Sequence, residues 1–536
     1  MQKYSTILSC KKGPWARGYF DPWLVAYGFL TLVYILPIWI FTYFPSQDGP
    51  SHLYNAFILS HYNDPNYTFK QFYDIRNALI PNWTSHALLV LFMRFATPLT
   101  AEKLLLTGYI ILMATALLYL ATAVQKDAKP LAFLGFPFIY NGLFVMGFYN
   151  YAMGIGLMLI SIGYWWRNVQ DIGYKTILVL GILMLLLYFT HPLALFLAMF
   201  SILMITLLNL ANRSITMKQA LLSLTPLIIP TILLLCHMEG GPWQWGDWPF
   251  NRLLTFFWEN GSLVYHSPHQ MIPARILTMT FSALILYSFM KEHAFQKGFW
   301  FNPKRRPKDF FFFLSLAFLI FYFIFPDRMS GGAVIKGRLS YLPYLIIIPW
   351  ISWNMPKLAK NLVGAMLMVL AVAYVGQASV YHNRLSSELE TYMSGGKVIE
   401  PNSVILPLCF DAVGSGHIIG AFQHSVGYYG CLTGGIDLGN YEAGTGHFPT
   451  VFKIGVQRPD IAAMERNPGR FDFARWVRQI DYVVTWALPE PSETASRLNR
   501  LYEPVRHNGK LKIFRRKALL PAVKTEKQKS YERPRN

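Results

Sequence analysis

Residues 22–44 read PWLVAYGFLTLVYILPIWIFTYF, and residues 45–52, which follow directly, read PSQDGPSH. The first stretch is apolar for over 20 residues. At about 1.5 Å per residue a helix of that length crosses a hydrocarbon core of roughly 30 Å. The second stretch is polar, and it places an acid, Asp48, and an imidazole, His52, four residues apart where the span meets water. Ionisable side chains are costly to hold beside lipid, so a pair at this junction points to function.

The composition extends the reading to the whole chain. Hydrophobic residues make up 53% of the sequence and charged residues 14%, and apolar runs recur as far as Val380. Backbone in lipid must satisfy its own hydrogen bonds, so the expected fold is a multi-span α-helical membrane protein. The first run lacks a small-residue cleavage site and is too long for a signal h-region, so it reads as a retained anchor. The net charge of +20 comes from bases between the runs and in the tail. Membrane topology accounts for them, and no nucleic-acid partner is expected. Four cysteines without CxxC spacing argue against a zinc ribbon or redox motif.

Spans are expected near 22–44, 101–124, 131–147, 152–166, 176–189, 193–210, 220–236, 276–290, 310–325, 339–353 and 362–380, about eleven crossings in all. The apolar segment 84–97 carries Arg94 and suits an interfacial or re-entrant helix better than a crossing. With that segment not crossing, one side collects Lys3, Lys11, Lys12, Arg17, Lys126, Lys129, Arg167, Lys175, Arg213 and Lys218. The same side holds the group Lys291, Lys297, Lys304, Arg305, Arg306 and Lys308, followed by Lys357 and Lys360. That is about 18 bases against roughly half as many opposite, which places the amino terminus inside. Asp48, His52, Asn150, His191, Trp243, Asp247, Arg328, Lys336 and Arg338 then all fall on the outer face.

Beyond Val380 the chain changes character. Residues 404–408 and 482–486 read as buried strands, while 470–479 and 493–502 read as helices. Asn508-Gly509 is a hairpin signal between 503–507 and 510–515, and Pro504 confines the incoming strand to a sheet edge. The chain therefore divides into a transmembrane domain (1–380), a small extracytoplasmic α/β domain (381–517) and a disordered basic tail (518–536).

An acid just past the first span, interfacial helices before the second, and the late stretch Arg338-Leu339-Ser340-Tyr341-Leu342-Pro343 together resemble the GT-C superfamily of membrane glycosyltransferases. Phe148-Tyr149-Asn150-Tyr151 and Thr190-His191-Pro192 add to the likeness. The resemblance implies a polyprenyl-phosphate sugar donor, inverting transfer at the outer membrane face, a soluble outer domain after the last span, and a bacterial inner membrane as the location. Many members of that family carry two adjacent acids where this chain has Asp48-Gly49. That departure weakens any metal taken over from the family, and a divalent metal is left open as a cofactor.

The same likeness implies that Asp48 acts as base on the acceptor or helps hold a metal. A carboxylate within hydrogen-bond reach can remove the acceptor proton as the anomeric carbon is attacked. The competing reading of Asp48 is an Asx-turn or N-cap ahead of a helix over 51–61. His52, one turn later, could ligate a metal or bond the lipid phosphate, or simply lie on an interfacial helix. Arg338 could hold the lipid phosphate bidentately, with Lys336 beside it, or snorkel at the interface. Asn150 and His191 are candidates for the substrate-binding wall, although a polar residue near a helix end accounts for either. Trp243, Trp245 and Trp248 fit an interfacial belt, and His417, His424 and His447 lack tight ligand spacing. Cys409 and Cys431 face an oxidising side in this topology, which allows a disulfide.

The leading function is therefore sugar transfer from a polyprenyl-phosphate carrier to a lipid, glycan or protein acceptor. Two other classes compete with it, a transporter or flippase of lipid-linked glycans and a non-catalytic membrane assembly protein. A transporter predicts inverted repeats and charges at mid-span, and neither stands out in the sequence.

The charge count makes the topology testable. A cysteine probe placed in 381–517 should react with an impermeant thiol reagent added from outside, and a probe near Lys304 should not. Labelling near Lys304 from outside would reverse the orientation.

Overall fold

The computed structural model describes residues 21–76, 79–237, 243–292 and 307–518. The bases Lys3, Lys11, Lys12, Arg17, Lys297, Lys304, Arg305 and Arg306, together with Cys10 and the tail from 519 on, lie outside the described residues.

The main helices are α1 (Pro22–Ile40), α2 (Gly49–His61), α3 (Thr84–Met93), α4 (Pro98–Val124), α5 (Tyr149–Asn168), α6 (Tyr174–Thr190) and α7 (Pro192–Ala211). They continue with α8 (Met271–Glu292), α9 (Asp309–Ile324), α10 (Ile335–Ser340), α11 (Lys357–Met393), α12 (Val426–Thr433), α13 (Tyr441–Gly444) and α14 (Glu493–Leu501). Among the described residues, six segments are long and apolar enough to cross a membrane: Pro22–Ile40, Pro98–Val124, Pro192–Ala211, Met217–His237, Pro268–Lys291 and Lys357–Val398. Thr84–Met93, Tyr174–Thr190 and Asp309–Ile324 are apolar but shorter.

Local chemistry explains where these helices begin. Proline occupies the first turn of α1, α4 and α7, where its missing N–H costs nothing. The Asp21 carboxylate accepts from the Trp23 amide at 3.0 Å, and the Thr97 hydroxyl accepts from the Thr100 amide at 3.3 Å. On α1, Leu24, Phe29, Leu32, Leu36 and Ile40 are exposed, while Tyr27, Leu30, Tyr34 and Ile38 on the other side are buried. Apolar side chains facing outward at helical spacing are a lipid-facing surface. α3 has ten residues, about 15 Å of helix, so it does not cross.

Lipid tails give helices no hydrophobic reason to pair, so close packing and polar links hold the bundle. Small residues let α5 approach its neighbours: a Cβ on Gly154 would lie 2.8 Å from the Ala194 Cβ, and one on Gly156 would lie 2.8 Å from the Leu112 Cγ. Buried tyrosines supply the links. Tyr27 donates to the Ala114 carbonyl at 2.8 Å, Tyr34 to Ala371 at 2.9 Å, and Tyr140 to Tyr34 at 2.9 Å.

Three expected spans are not continuous α-helices, and the one near 220–236 is interrupted only by the 3₁₀ turn Thr225–Leu227. The third expected span is a 3₁₀ run, Lys129–Phe138, followed by a single turn, Gly142–Val145, and is not among the six candidate spans. Pro130 and Pro137 lack the N–H groups a regular helix would use. The tenth pass is broken at Tyr341 into α10, a second short helix (Leu342–Ile347) and a 3₁₀ turn (Ile348–Trp350). Pro343 and Pro349 fall just after these breaks.

After the last pass, α11 runs unbroken through Tyr381 to Met393 and leads into a five-stranded sheet. Its strands, with the two-stranded pair included in the numbering, are β1 (Tyr73–Ile75), β2 (Val404–Cys409), β3 (Ile436–Asp437), β4 (Thr450–Phe452), β5 (Tyr482–Trp486), β6 (Tyr502–Asn508) and β7 (Leu511–Arg516). The five-stranded order is β3-β2-β5-β7-β6. β2 pairs parallel with β3 and β5, and β7 pairs antiparallel with β5 and β6. β6 is an edge strand and carries Pro504 beside a register shift. The expected helix over 470–479 is only a short turn, Phe473–Trp476. Cys409 and Cys431 are free thiols, so the disulfide the topology would allow is not formed.

This sheet segment is bound to the loop after α1. β1 pairs with β4, the Tyr54 hydroxyl donates to the Gly435 carbonyl at 2.8 Å, and buried Asn55 and Asn440 exchange amide hydrogen bonds at 2.9 and 3.0 Å.

Candidate functional site

The site begins with two turns that fit against each other. The Gln47 and Asp48 amides donate to the Val145 and Met146 carbonyls at 3.3 and 3.0 Å, which hangs the loop after α1 on the end of the third pass. Gly147 has φ +92°, and a Cβ there would lie 2.7 Å from the Gly49 nitrogen and 2.9 Å from the Asp48 Cβ. Only glycine takes that conformation freely. A Cβ on Gly49 would in turn overlap the Tyr149 hydroxyl. A second acid next to Asp48 therefore has no room at position 49.

Asp48 stands at the N-cap of α2, but its side chain makes no capping hydrogen bond. The cap reading predicts that bond. The carboxylate instead faces Gln47 (Nε2 to Oδ1, 3.2 Å), His424 (Nε2 to Oδ1, 3.4 Å) and the Tyr441 hydroxyl. It is buried, and burial pushes it up to about 6 against the opposing charge of His52 and the Gln47 hydrogen bond. Burial also takes His424 down to about 3, so that ring is neutral beside it.

One helical turn on, His52 enters a different set of contacts. Its Nε2 lies 2.9 Å from the Gly147 carbonyl, which can only accept, so Nε2 carries a proton. Its Nδ1 lies 2.8 Å from the Glu442 Oε1, while His86 donates from Nε2 to the Glu442 Oε2, also at 2.8 Å. The first of these is an ion-pair distance without hydrogen-bond alignment, so charge and not a directed bond holds it. All three side chains are buried. Burial works to raise the Glu442 carboxyl, but the charges of His52 and His86 outweigh it and hold Glu442 at about 2. His52 feels the converse: burial alone would lower it, and Glu442 raises it above its ordinary value.

These three residues also fit a divalent ion. Their ligand atoms lie within 4.8 Å of one another. The His52 Nδ1 and Glu442 Oε1 are buried, lack an aligned partner and face each other. The Nε2 proton held by Gly147 fixes the tautomer that leaves Nδ1 free, as the outer shell of a metal-ligating histidine does. Asp48 is not one of the three.

Arg338 lies on α10 against His191. Its Nη1 donates to the His191 Nε2 at 2.6 Å, and the Leu193 amide donates to the His191 Nδ1 at 3.2 Å. An imidazole has a proton on at least one nitrogen, so it cannot accept from both donors at once. The guanidinium stacks on Phe148 and Tyr151, at 4.5 and 5.4 Å from the ring centroids, and its buried Nε has no partner. No carboxylate pairs with it among the described residues. Asp48 is near enough for its charge to act on Arg338.

The remaining candidates from the sequence are committed elsewhere. The Lys336 Nζ donates to the Tyr322 and Phe323 carbonyls at 3.1 and 2.7 Å, closing the end of α9. Asn150 accepts from the Ser85 amide at 2.8 Å and donates to the Asn82 carbonyl at 2.9 Å, so it holds the start of α3 and thereby His86. Sequence reasoning did not find His86, Tyr441 or Glu442 and read His424 as scattered. Glu442 is distant in sequence from His52, and no spacing pattern joins them.

Two variants test this arrangement. Glu442→Gln leaves His52 and His86 without their counter-charge in a buried place, which should cost about 3–5 kcal/mol of stability. Thermal melting in detergent reads the loss, and an unchanged melt would show that the histidines do not depend on the carboxylate. Arg338→Ala should weaken binding of a polyprenyl phosphate more than Arg338→Lys, because lysine keeps the charge and loses the fork. Equal binding by both variants and the parent would remove Arg338 from the site.

No family model matches the chain, and no curated protein sequence does. Among solved structures the chain is similar to ArnT from Cupriavidus metallidurans bound to undecaprenyl phosphate, with TM-score 0.51 and 10% identity over 92% of this chain and 97% of that one. The likeness runs through the membrane passes and the segment after them. The chain is an integral membrane protein that shares the fold of ArnT.

Proposed function

We propose that the chain transfers a sugar from a polyprenyl-phosphate carrier to an acceptor hydroxyl or amine at the outer membrane face. The observation that carries this reading is the nearness of Asp48, a buried carboxylate that does not cap its helix, to Arg338, a guanidinium with a free buried Nε and no carboxylate partner among the described residues. A base and an anion-binding cation within electrostatic reach of each other are what glycosyl phosphate transfer requires. ArnT, which shares the fold, was solved with undecaprenyl phosphate, and that supports a lipid phosphate as the anion.

In this mechanism Asp48 takes the acceptor proton while the acceptor atom forms its bond to the anomeric carbon. The bond from that carbon to the phosphate oxygen breaks, and the polyprenyl phosphate leaves with the electron pair. Arg338 then neutralises the leaving oxygen through hydrogen bonds that strengthen as its charge grows. One base and no covalent nucleophile give inversion at the anomeric carbon. His191 gives up the guanidinium to the phosphate and keeps its bond from the Leu193 amide. A divalent ion held by His52, His86 and Glu442, in place of the protons on the His52 Nδ1 and the His86 Nε2, would supply Lewis-acid charge to the site. Eleven crossings, with the amino terminus inside and the α/β domain of 381–517 outside, put both substrates on one side.

Asp48→Asn keeps the volume and part of the hydrogen bonding but cannot act as a base. Turnover should fall on the order of 10²–10⁴-fold with the protein still folded and inserted. A capping role would leave turnover near normal, because Asn caps about as well as Asp. Full sugar transfer from a lipid-phosphate donor by Asp48→Asn would discard the mechanism. The base must be ionised, and burial sets Asp48 at about 6. Turnover in the parent should therefore be level above pH of about 6 and fall roughly tenfold per unit below it. A profile flat to pH 5 would exclude Asp48 as the titrating base.

A further inference from the structure

Outside the site at α2, the described residues contain a 410 Å³ cavity in the sheet segment. It opens where two neighbouring parallel strands end: Cys409 and Phe410 line it at the end of β2, and Pro489 lines it beyond β5. Loops leaving the carboxyl ends of parallel strands diverge, and the crevice between them is the usual ligand position in such sheets. The volume lies within the range of about 300–1,000 Å³ found for small-molecule sites.

The lining narrows the ligand class. Phe410 offers an aromatic face, Gln423 and Asn467 offer amides, Glu465 a carboxylate, and Ser492 and Thr494 hydroxyls. The Ser492 hydroxyl accepts from the Ala495 amide and keeps its proton to donate, while the Thr494 hydroxyl donates to the Gly469 carbonyl and keeps its lone pairs. Donors and acceptors are thus mixed around one ring. A phosphate would need several cations, and Arg466 is the cation in the lining, with its Nε already bonded to the Ala462 carbonyl. A lipid tail would need an apolar wall. A polyhydroxylated ring fits.

The cavity also leads toward Asp48. The Glu465 Oε1 lies 3.7 Å from the His424 Nδ1, and the His424 Nε2 lies 3.4 Å from the Asp48 Oδ1. A molecule held against Glu465 is one imidazole away from the carboxylate. We infer that this cavity binds a saccharide unit of the acceptor, so that the acceptor is a glycan or glycolipid whose reacting group reaches Asp48 past His424. This rests on the transferase reading given above.

The test uses the full chain in detergent and the methyl glycosides of glucose, galactose, mannose and N-acetylglucosamine, with binding read by saturation-transfer NMR. At least one should bind saturably to the parent. Asn467→Trp, at an exposed position on the cavity wall, should weaken it at least tenfold with an unchanged thermal melt, and Gln423→Ala should weaken it without filling the space. Asp48→Asn should bind it as the parent does. If no glycoside binds the parent saturably, or if Asn467→Trp binds as well as the parent, the inference is overturned. The two readings fail separately: a chain that transfers sugar but binds no glycoside here loses only the cavity assignment. Glycoside binding in a chain whose Asp48→Asn variant is fully active keeps the assignment and removes the catalytic role of Asp48.

Discussion

A carboxylate without water around it is stable only where positive charge or hydrogen-bond donors surround it, and Glu442 meets that condition by drawing three separate parts of the chain together. Glu442 belongs to the segment after the last pass, His52 to the helix after the first, and His86 to the short interfacial helix before α4. None of these elements crosses the membrane, and none is long enough to be stable alone. The charge contact fixes where they sit. Burial of the Asn55–Asn440 amide pair and the β1–β4 pairing keep the same surfaces in register. Glu102, at the start of α4, repeats the device with neutral donors, taking hydrogen bonds from Tyr149 at 3.2 Å and Tyr428 at 3.1 Å. Two buried carboxylates thus clamp the sheet segment to the bundle, and the proposed site lies beside the clamp.

Asp48 and Arg338 are held differently. Glu442 faces two imidazoles, whose charges hold it ionised. Asp48 has one amide, a neutral histidine and a phenol, which leave its carboxyl near 6. Arg338 has a histidine that cannot fully accept its proton and two aromatic faces. Groups left short of partners in this way are the ones whose interactions improve when a substrate arrives. Fixed dipoles and charges that need no rearrangement at that moment are the main source of transition-state stabilisation in such sites. The contrast between Glu442, held ionised by two imidazoles, and Asp48, short of charged partners, separates scaffold from proposed chemistry.

The sequence carried the membrane class because lipid imposes a long apolar run on each crossing, and the runs from Pro22 onward show it directly. Asp48 drew notice because an acid at the end of an apolar run is conspicuous, and the edge position of β6 was legible because Pro504 lacks an N–H. The sequence did not carry Glu442, since a carboxylate in a polar segment looks like any other, and its partners lie far away along the chain. Asn150 and Lys336 drew notice as polar residues at pass ends. Their side chains serve the ordinary need of helix ends for hydrogen bonds, Asn150 at α3 and Lys336 at α9. The broken third and tenth passes read as helices because hydropathy counts Pro130, Pro137, Pro343 and Pro349 as parts of an apolar run, while the backbone treats them as stops.

The turn at Gly49 connects Asp48 with His52 and Glu442. Position 49 is glycine because the Tyr149 hydroxyl occupies the space a Cβ would need, and Gly147 presses on the same turn from the other side. Gly147 also supplies the carbonyl that fixes the His52 tautomer. Glu442 then brings a carboxylate to the same neighbourhood from the far end of the chain, and it faces two imidazoles instead of Asp48. Acidity near Asp48 is kept while direct repulsion between adjacent carboxylates is avoided, with His52 standing between the two acids and acting on both. A pair of acids next to each other in sequence would share one field and titrate together. Separated by an imidazole, one stays ionised as a structural or metal-binding anion, and the other is free to take a proton near neutral pH.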